Sequence, residues 1–267
     1  MFWQNDEKSK WLDPFDLFLS INLLIESVGE ICEIGVYKGG FLIGVLQNRA
    51  GIKGLAIDPY PRQGDIRESF IQNLRISQTA HRVELLADYS LVTQRSFDLV
   101  HIDGEHSERA VLEDIRFART HLADRGIIVV DDIWHPLFPG VVSATMKVVH
   151  ESDLVPFLIT RNKMFLCKTN DYSLHYFQAL ALIKKAQIPH SCGLMEGDEV
   201  DGVPSSYDQS SAIKGHDTIL VHHKTKYDQL VILGLAAKPK QSAFKRIARL
   251  LLPQAALLIH KKIVNRS

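Results

Sequence analysis

Residues 30–60, "EICEIGVYKGGFLIGVLQNRAGIKGLAIDPY", decide the fold. "EICEIGV" is a short apolar run ending at a glycine and reads as a buried strand. "GGFLIGVLQNRA" follows as a helix, and "GLAIDPY" is a second buried strand that ends at Asp58. Two apolar strands joined through a helix run parallel, and parallel strands need cover on both faces.

The alternation persists through the residues that follow. "DIRESFIQNLRIS" reads as a helix, "RVELLAD" as a third strand and "FDLVHIDG" as a fourth. "SERAVLEDIRFARTHLA" is a long amphipathic helix, "GIIVVDD" a fifth strand and "GVVSATMKVVHE" the next helix. "LVPFLIT" and "KMFLCKT" are two strands around an Arg-Asn turn, so the sheet ends with an antiparallel strand. The fold class predicted is α/β: a doubly wound, mostly parallel, seven-stranded sheet with a C-terminal extension. Residues 1–28, with helical spacing in "PFDLFLSINLLIESV", form an N-terminal helical cap, residues 29–169 the main domain and residues 170–267 the extension. Within the extension "DYSLHYFQALALIKKAQ" reads as a helix, and "DTILVHH" and "LVILGLA" as strands. Residues 189–216 lack periodicity and form either a lid or an unstructured loop. Residues 243–264 form a basic amphipathic segment divided by Pro253. Two placements suit it: against an anionic lipid surface, or packed on the domain or a second subunit of a homo-oligomer, the latter being commoner for such segments.

Composition narrows the function classes. Acidic and basic residues balance at 31 each, so no global basic field points to nucleic acid. Cys32, Cys167 and Cys192 are widely spaced, which predicts reduced thiols and a cytoplasmic protein. The polar, aromatic N-terminus is no signal peptide, and no apolar run reaches the length of a membrane span.

In open α/β sheets ligands bind at the carboxyl ends of the strands. After strand one stand Glu33, Gly35, Tyr37 and Gly39. The glycines allow a tight turn and a close backbone approach, but Tyr37 occupies the middle glycine position of a dinucleotide fingerprint. Strand two ends at Asp58, placed to grip ribose hydroxyls, and strand three at Asp88, placed to accept from an adenine amino group. Each carboxylate alone is an ordinary turn or cap residue. Together, at successive strand ends, they favour an adenosine ligand without pyrophosphate. Asp131 and Asp132 end strand five, where adjacent carboxylates repel and resist desolvation unless something offsets their charge.

"EIGVYKGG", "AIDPY", "FDLVHIDGEHSERAVLEDI" and "GIIVVDDIWHPLFPGV" resemble the class I S-adenosylmethionine-dependent methyltransferases, over roughly residues 28–169. More narrowly, they resemble the metal-dependent O-methyltransferases that act on catechols and on sugars of macrolide and aminocoumarin natural products. The resemblance implies a Rossmann-like methyltransferase fold, S-adenosylmethionine held by Glu33, Gly35, Tyr37, Gly39, Asp58 and Asp88, and a hydroxyl acceptor on a small molecule or glycan. It implies that Asp103, Asp131 and Asp132 converge from neighbouring strands and hold Mg²⁺ or another hard divalent cation, which oxygen ligands favour. The catechol enzymes carry Asn where Asp132 stands, so this site is more anionic. Asp131 or Asp132 as a cap of the following turn is the alternative. His106 takes the place of the catechol enzymes' general-base lysine and is the expected base, with Asp103 beside it. Helix capping or metal ligation are its other roles, and His135 is a second candidate base. Trp134 forms either an acceptor wall or core. Related sequences include cephalosporin hydroxylases, so a metal-dependent hydroxylase and a non-catalytic S-adenosylmethionine-binding protein remain as alternatives.

Overall fold

The computed structural model describes residues 14–25, 28–60, 64–92, 94–160 and 162–185, with the backbone segments 190–194 and 218–222. The chain divides into two compact units, residues 1–156 with 160–169, and residues 157–159 with 170–267.

The first unit opens with helix α1 (Pro14–Leu23). Strand β1 (Val28–Ile34), helix α2 (Gly40–Asn48) and strand β2 (Gly51–Ile57) realise the strand–helix–strand unit of residues 30–60. Helix α3 (Gly64–Ile76), strand β3 (Val83–Leu86), strand β4 (Phe97–Ile102), helix α4 (Glu108–Thr120) and strand β5 (Leu122–Val130) follow. Helix α5 (Pro139–Glu151), strand β6 (Leu154–Ile159), whose residues 157–159 belong to the second unit, and strand β7 (Met164–Lys168) follow. The strand order is β3-β2-β1-β4-β5-β7-β6. The pairs β1–β2, β1–β4, β2–β3 and β4–β5 are parallel, and β7 runs antiparallel to β5. This is the seven-stranded, mostly parallel, doubly wound sheet expected from the sequence. The order reverses between β1 and β4, which opens a crevice at their carboxyl ends.

Burial explains the apolar runs. Leu99, Val100 and Ile102 of β4 and Ile127, Ile128, Val129 and Val130 of β5 are no more than 2% exposed. Each such side chain contributes about 1.5–3 kcal/mol when removed from water. Helix α2 is apolar all round, with every residue from Phe41 to Leu46 buried. Its outer side lies under α1, where a Cβ at Gly44 would stand 2.7 Å from Leu17 Cδ2. Arg82 ties the far end of α2 to β2: Nη1 donates to the carbonyls of Arg49, Ala50 and Ile52, and Nη2 to that of Leu46. Of these, the Leu46 carbonyl is one that a helix end leaves without a partner. Ser107 caps α4 by accepting from the Ala110 amide at 3.3 Å, and Pro139 opens α5 where its missing amide costs nothing.

In the second unit, β9 (Thr218–His222) pairs antiparallel with the end of β6, and β8 (His190–Leu194) runs parallel to β9. Helix α6 (Tyr172–Lys185) buries Tyr172, Ala179 and Ile183. Strand β8 falls at the start of the stretch expected to be an aperiodic loop. "HSCGL" has no alternation to mark it, because its register comes from backbone pairing with β9. "LVILGLA" and the basic segment 243–264 lie outside the described residues. No helix among the described residues is long and apolar enough to cross a membrane.

Candidate active site

The turn after β1 sets the site. Gly35 has φ +81°, and a Cβ there would stand 2.0 Å from the Asp103 carbonyl oxygen. Only glycine lets the β1 and β4 ends approach this closely. The Asp103 amide donates to the Ile34 carbonyl at 2.8 Å and the Gly35 amide to the Ile57 carbonyl at 2.9 Å, so the ends of β1, β2 and β4 are fastened together.

Above these ends lies a cleft of about 760 Å³. Gly35, Tyr37, Asp58, Asp88 and Asp103, all expected at a ligand site, line it. Glu33 and Gly39 are not among its lining residues. Gly39 instead starts α2 at φ 83°, and Glu33 is buried. The lining holds six carboxylates (Asp58, Asp88, Asp103, Glu105, Glu113 and Asp114) and neither lysine nor arginine, so its potential favours a cation. Asp58 is already fixed: Oδ2 accepts from the Tyr37 amide at 3.0 Å and Oδ1 from the Tyr60 amide at 2.8 Å. The Tyr60 hydroxyl donates to the Tyr37 carbonyl at 2.8 Å and closes this rim. Asp88 caps a short turn by accepting from the Ser90 amide, which holds its carboxyl below the usual range. Asp114 is buried, and desolvation with Glu113 and Glu105 nearby pushes it up to about 7.

Six non-glycine residues among those described have positive φ, and three of them, Tyr37, Tyr60 and Asp132, stand at this end of the sheet. Such backbone is costly and collects at functional sites.

Beside the cleft, Asp103, His106 and Asp132 form a cluster whose ligand atoms all lie within 4.8 Å of one another. His106 Nε2 is 3.3 Å from Asp132 Oδ2 and 3.7 Å from Asp103 Oδ1. That nitrogen is buried and forms no well-shaped hydrogen bond. The hydrogen-bonding reach of Asp103, then of Asp132, raises His106 to about 9. Phe138 stacks on the His106 ring at 4.0 Å and 7°, and His135 on Phe138 at 4.4 Å. The His135 amide donates to the Asp132 carbonyl at 3.0 Å, which shapes the turn after β5. Trp134 is 52% exposed and Leu137 77%, so Trp134 is not core.

Asp131 points elsewhere. Its Oδ2 meets the Lys163 ammonium and lies 3.5 Å from His101 Nε2, and its Oδ1 accepts from the Asp132 amide at 2.8 Å and from Asn162 Nδ2. Burial alone would raise the Asp131 carboxyl, but Lys163 and His101 hold it low. His101 continues the row: Nδ1 lies 3.0 Å from Glu33 Oε1, Nε2 lies 3.0 Å from Lys163 Nζ, and the ring stacks on Phe41 at 3.8 Å. The other Glu33 oxygen accepts from the Leu42 amide at 3.1 Å. Of the three carboxylates expected to share a cation, the structure brings Asp103 and Asp132 together with His106. His101, Asn162, Lys163, Asp114 and Phe138 were not singled out from the sequence. His101 carried a signal, being a polar residue inside an apolar strand, beside Glu33 in register.

Residues 32–133 match the family model described as a methyltransferase domain. No curated protein matches the chain. Among solved structures, the chain is similar to the SAH-bound methyltransferase PaMTH1 of Podospora anserina (11% identity, 62% of this chain and 85% of that one, TM-score 0.51). It is also similar to an O-methyltransferase of Bacillus cereus in complex with SAH (15% identity, 58% and 80% covered, TM-score 0.49). At these identities the likeness is one of fold. The likeness to a methyltransferase domain thus lies in residues 32–133.

Proposed function

We propose that this domain transfers the methyl group of S-adenosylmethionine to a hydroxyl of a small molecule or glycan, with help from a divalent cation. The observation that carries this reading is the double membership of Asp103, which lines the anionic cleft and belongs to the His106–Asp132 cluster. A cationic donor in the cleft and an acceptor at the cluster would meet at one strand end. The six carboxylates suit a ligand bearing a sulfonium and an ammonium. A solved structure of similar fold, that of Podospora anserina, is described as SAH-bound, which supports the same donor here.

Asp58 receives the ribose hydroxyls on the lone pairs that Tyr37 and Tyr60 leave open. The Gly35 turn lets the backbone approach the donor closely, and Asp88 and Ser90 form the adenine end of the cleft. The residues at the cluster fit a divalent cation: two carboxylates converge on one imidazole nitrogen, whose proton a bound cation would displace. These residues would hold a cation whose charge would offset theirs and which would supply Lewis-acid activation of an acceptor hydroxyl. With a nitrogen donor in the set, Mn²⁺ suits it as well as Mg²⁺. Exposed Trp134 offers a flat apolar face to the acceptor. The protein mainly orients the acceptor oxygen in line with the methyl group.

The test is methyl transfer from labelled S-adenosylmethionine to a panel of catechol and sugar hydroxyls, with Mg²⁺, with Mn²⁺ and after chelation. Turnover that needs a divalent cation is the expected result. Full turnover after chelation would remove the cation from the reading, and no binding of S-adenosylmethionine or SAH would remove the donor.

A further inference from the structure

Four ionisable side chains cross the centre of the sheet on one face. Glu33 and His101 are register partners on β1 and β4. The β5–β7 register runs from Ile127↔Cys167 to Val130↔Met164, so its next step sets Asp131 opposite Lys163. The row therefore spans β1, β4, β5 and the entry to β7. Lys163 is 1% exposed, His101 1%, Glu33 3% and Asp131 9%. Burying ions costs several kcal/mol each, and a well-packed apolar set of the same volume is often as stable. Stability alone is a weak reason for this row.

Its two ends explain it better. At one end Glu33 accepts from the Leu42 amide in the first turns of α2, just after the Gly35–Gly39 loop. At the other, Asp131 Oδ1 accepts from the Asp132 amide, and Asp132 has φ 53°. Left-handed backbone is uncommon outside glycine, and although aspartate tolerates it better than most residues, a local hydrogen bond favours it further. Here that bond is to Asp131, and Asp131 is held by Lys163 and Asn162. The Ile133 amide donates to the Asn162 carbonyl at 3.0 Å and braces the same turn from the other side.

We propose that Lys163 is a positioning residue for the cation site: its buried ammonium keeps Asp131 out of the cluster and, through the Asp131–Asp132 hydrogen bond, aims the Asp132 carboxylate at His106 and Asp103. This rests on the cation-assisted reading above. It assigns Asp131 to the supporting layer, and the sign of one substitution separates that from a ligand role. If Lys163 merely competes with a cation for Asp131, removing the ammonium frees a carboxylate and tightens cation binding. If Lys163 positions Asp132, removing it weakens cation binding.

The experiment is Mn²⁺ titration of the full chain by electron paramagnetic resonance, alongside calorimetric titration with SAH and a thermal melt, for wild type and Lys163→Met. Loss of such a supporting contact weakens metal binding by about 10–100-fold. Lys163→Met is therefore expected to weaken Mn²⁺ binding at least about tenfold while SAH affinity stays within about twofold, a split that general loosening of the domain would not give. Unchanged or tighter Mn²⁺ binding by folded Lys163→Met overturns the proposal. Should that variant fail to fold, Asn162→Ala decides: it removes one donor to Asp131 and is expected to weaken Mn²⁺ binding about threefold to tenfold, and no change overturns the proposal. Wild type that binds SAH but no Mn²⁺ overturns the cation reading itself, and the role of Lys163 with it.

Discussion

The donor and cation sides of the proposed site are built differently. At the ends of β1–β3 the determinants are local. Gly35 turns the chain, and Asp58 and Asp88 accept from amides within two residues of themselves or from the neighbouring strand end. At the ends of β4, β5 and β7 the determinants are distant in sequence. Asp132 is aimed by Asp131, which is held by Lys163, which touches His101, which touches Glu33. A turn-built site tolerates change elsewhere in the sheet. A site aimed through a buried row depends on residues that never touch a ligand.

Asp103 belongs to both sides, so its loss should have the largest effect. Asp103→Ala is expected to lower methyl transfer by roughly 10³–10⁴, measured as single-turnover rate, with donor binding and Mn²⁺ binding both weakened. A variant that keeps full donor affinity would confine Asp103 to the cation side.

The donor side also carries an uncompensated acid. Asp114 sits at about 7 in the folded protein, raised by burial and then by Glu113 and Glu105, against about 3.9 in an unfolded chain. Between those values the folded state holds a proton that the unfolded state has released. Stability is therefore fullest below pH about 4 and falls as pH rises through about 7, by at most about 4 kcal/mol. Asp114→Asn should flatten that decline. Urea melts from pH 4 to 8 check this, and an equal slope in both proteins would refute it.

Asp58→Ala should weaken S-adenosylmethionine binding by about 1.5–3 kcal/mol, as loss of a charge-assisted hydrogen bond does, and leave Mn²⁺ binding unchanged. Calorimetry with each ligand separates the two effects. His106→Gln sharpens the cation side. As a ligand, His106 should take about tenfold or more of Mn²⁺ affinity with it. As the general base it should spare Mn²⁺ affinity and cost turnover alone.

What the sequence disclosed follows the same division. Strand–helix alternation from "EICEIGV" to "KMFLCKT" was legible because nearly every strand is buried on both faces and bounded by polar turns. Gly35, Tyr37, Asp58, Asp88 and Asp103 were legible as a group because strand ends converge in such a sheet, and one cleft does gather them. The choice between Asp131 and Asp132 was not. Both end the same strand, and which one faces the cluster depends on a positive φ at Asp132 and a lysine thirty-odd residues away. Lys163 was hidden because "KMFLCKT" shows it at the polar edge of a strand, where a lysine is ordinarily solvated. Strand β8 was hidden for another reason, since a run such as "HSCGL" is ordered by its neighbour and not by its own pattern.

The rim around Asp58 has one further effect. Both oxygens of that carboxylate are tethered to backbone amides, and the Tyr60 hydroxyl braces the loop that carries one of them. Under the proposed ribose role, the side chain has no rotor left to freeze when a diol binds. Immobilising a free side chain on binding costs about 0.5–1.5 kcal/mol, and here that entropy is lost during folding instead. The rim is a template whose shape is complete before the ligand enters.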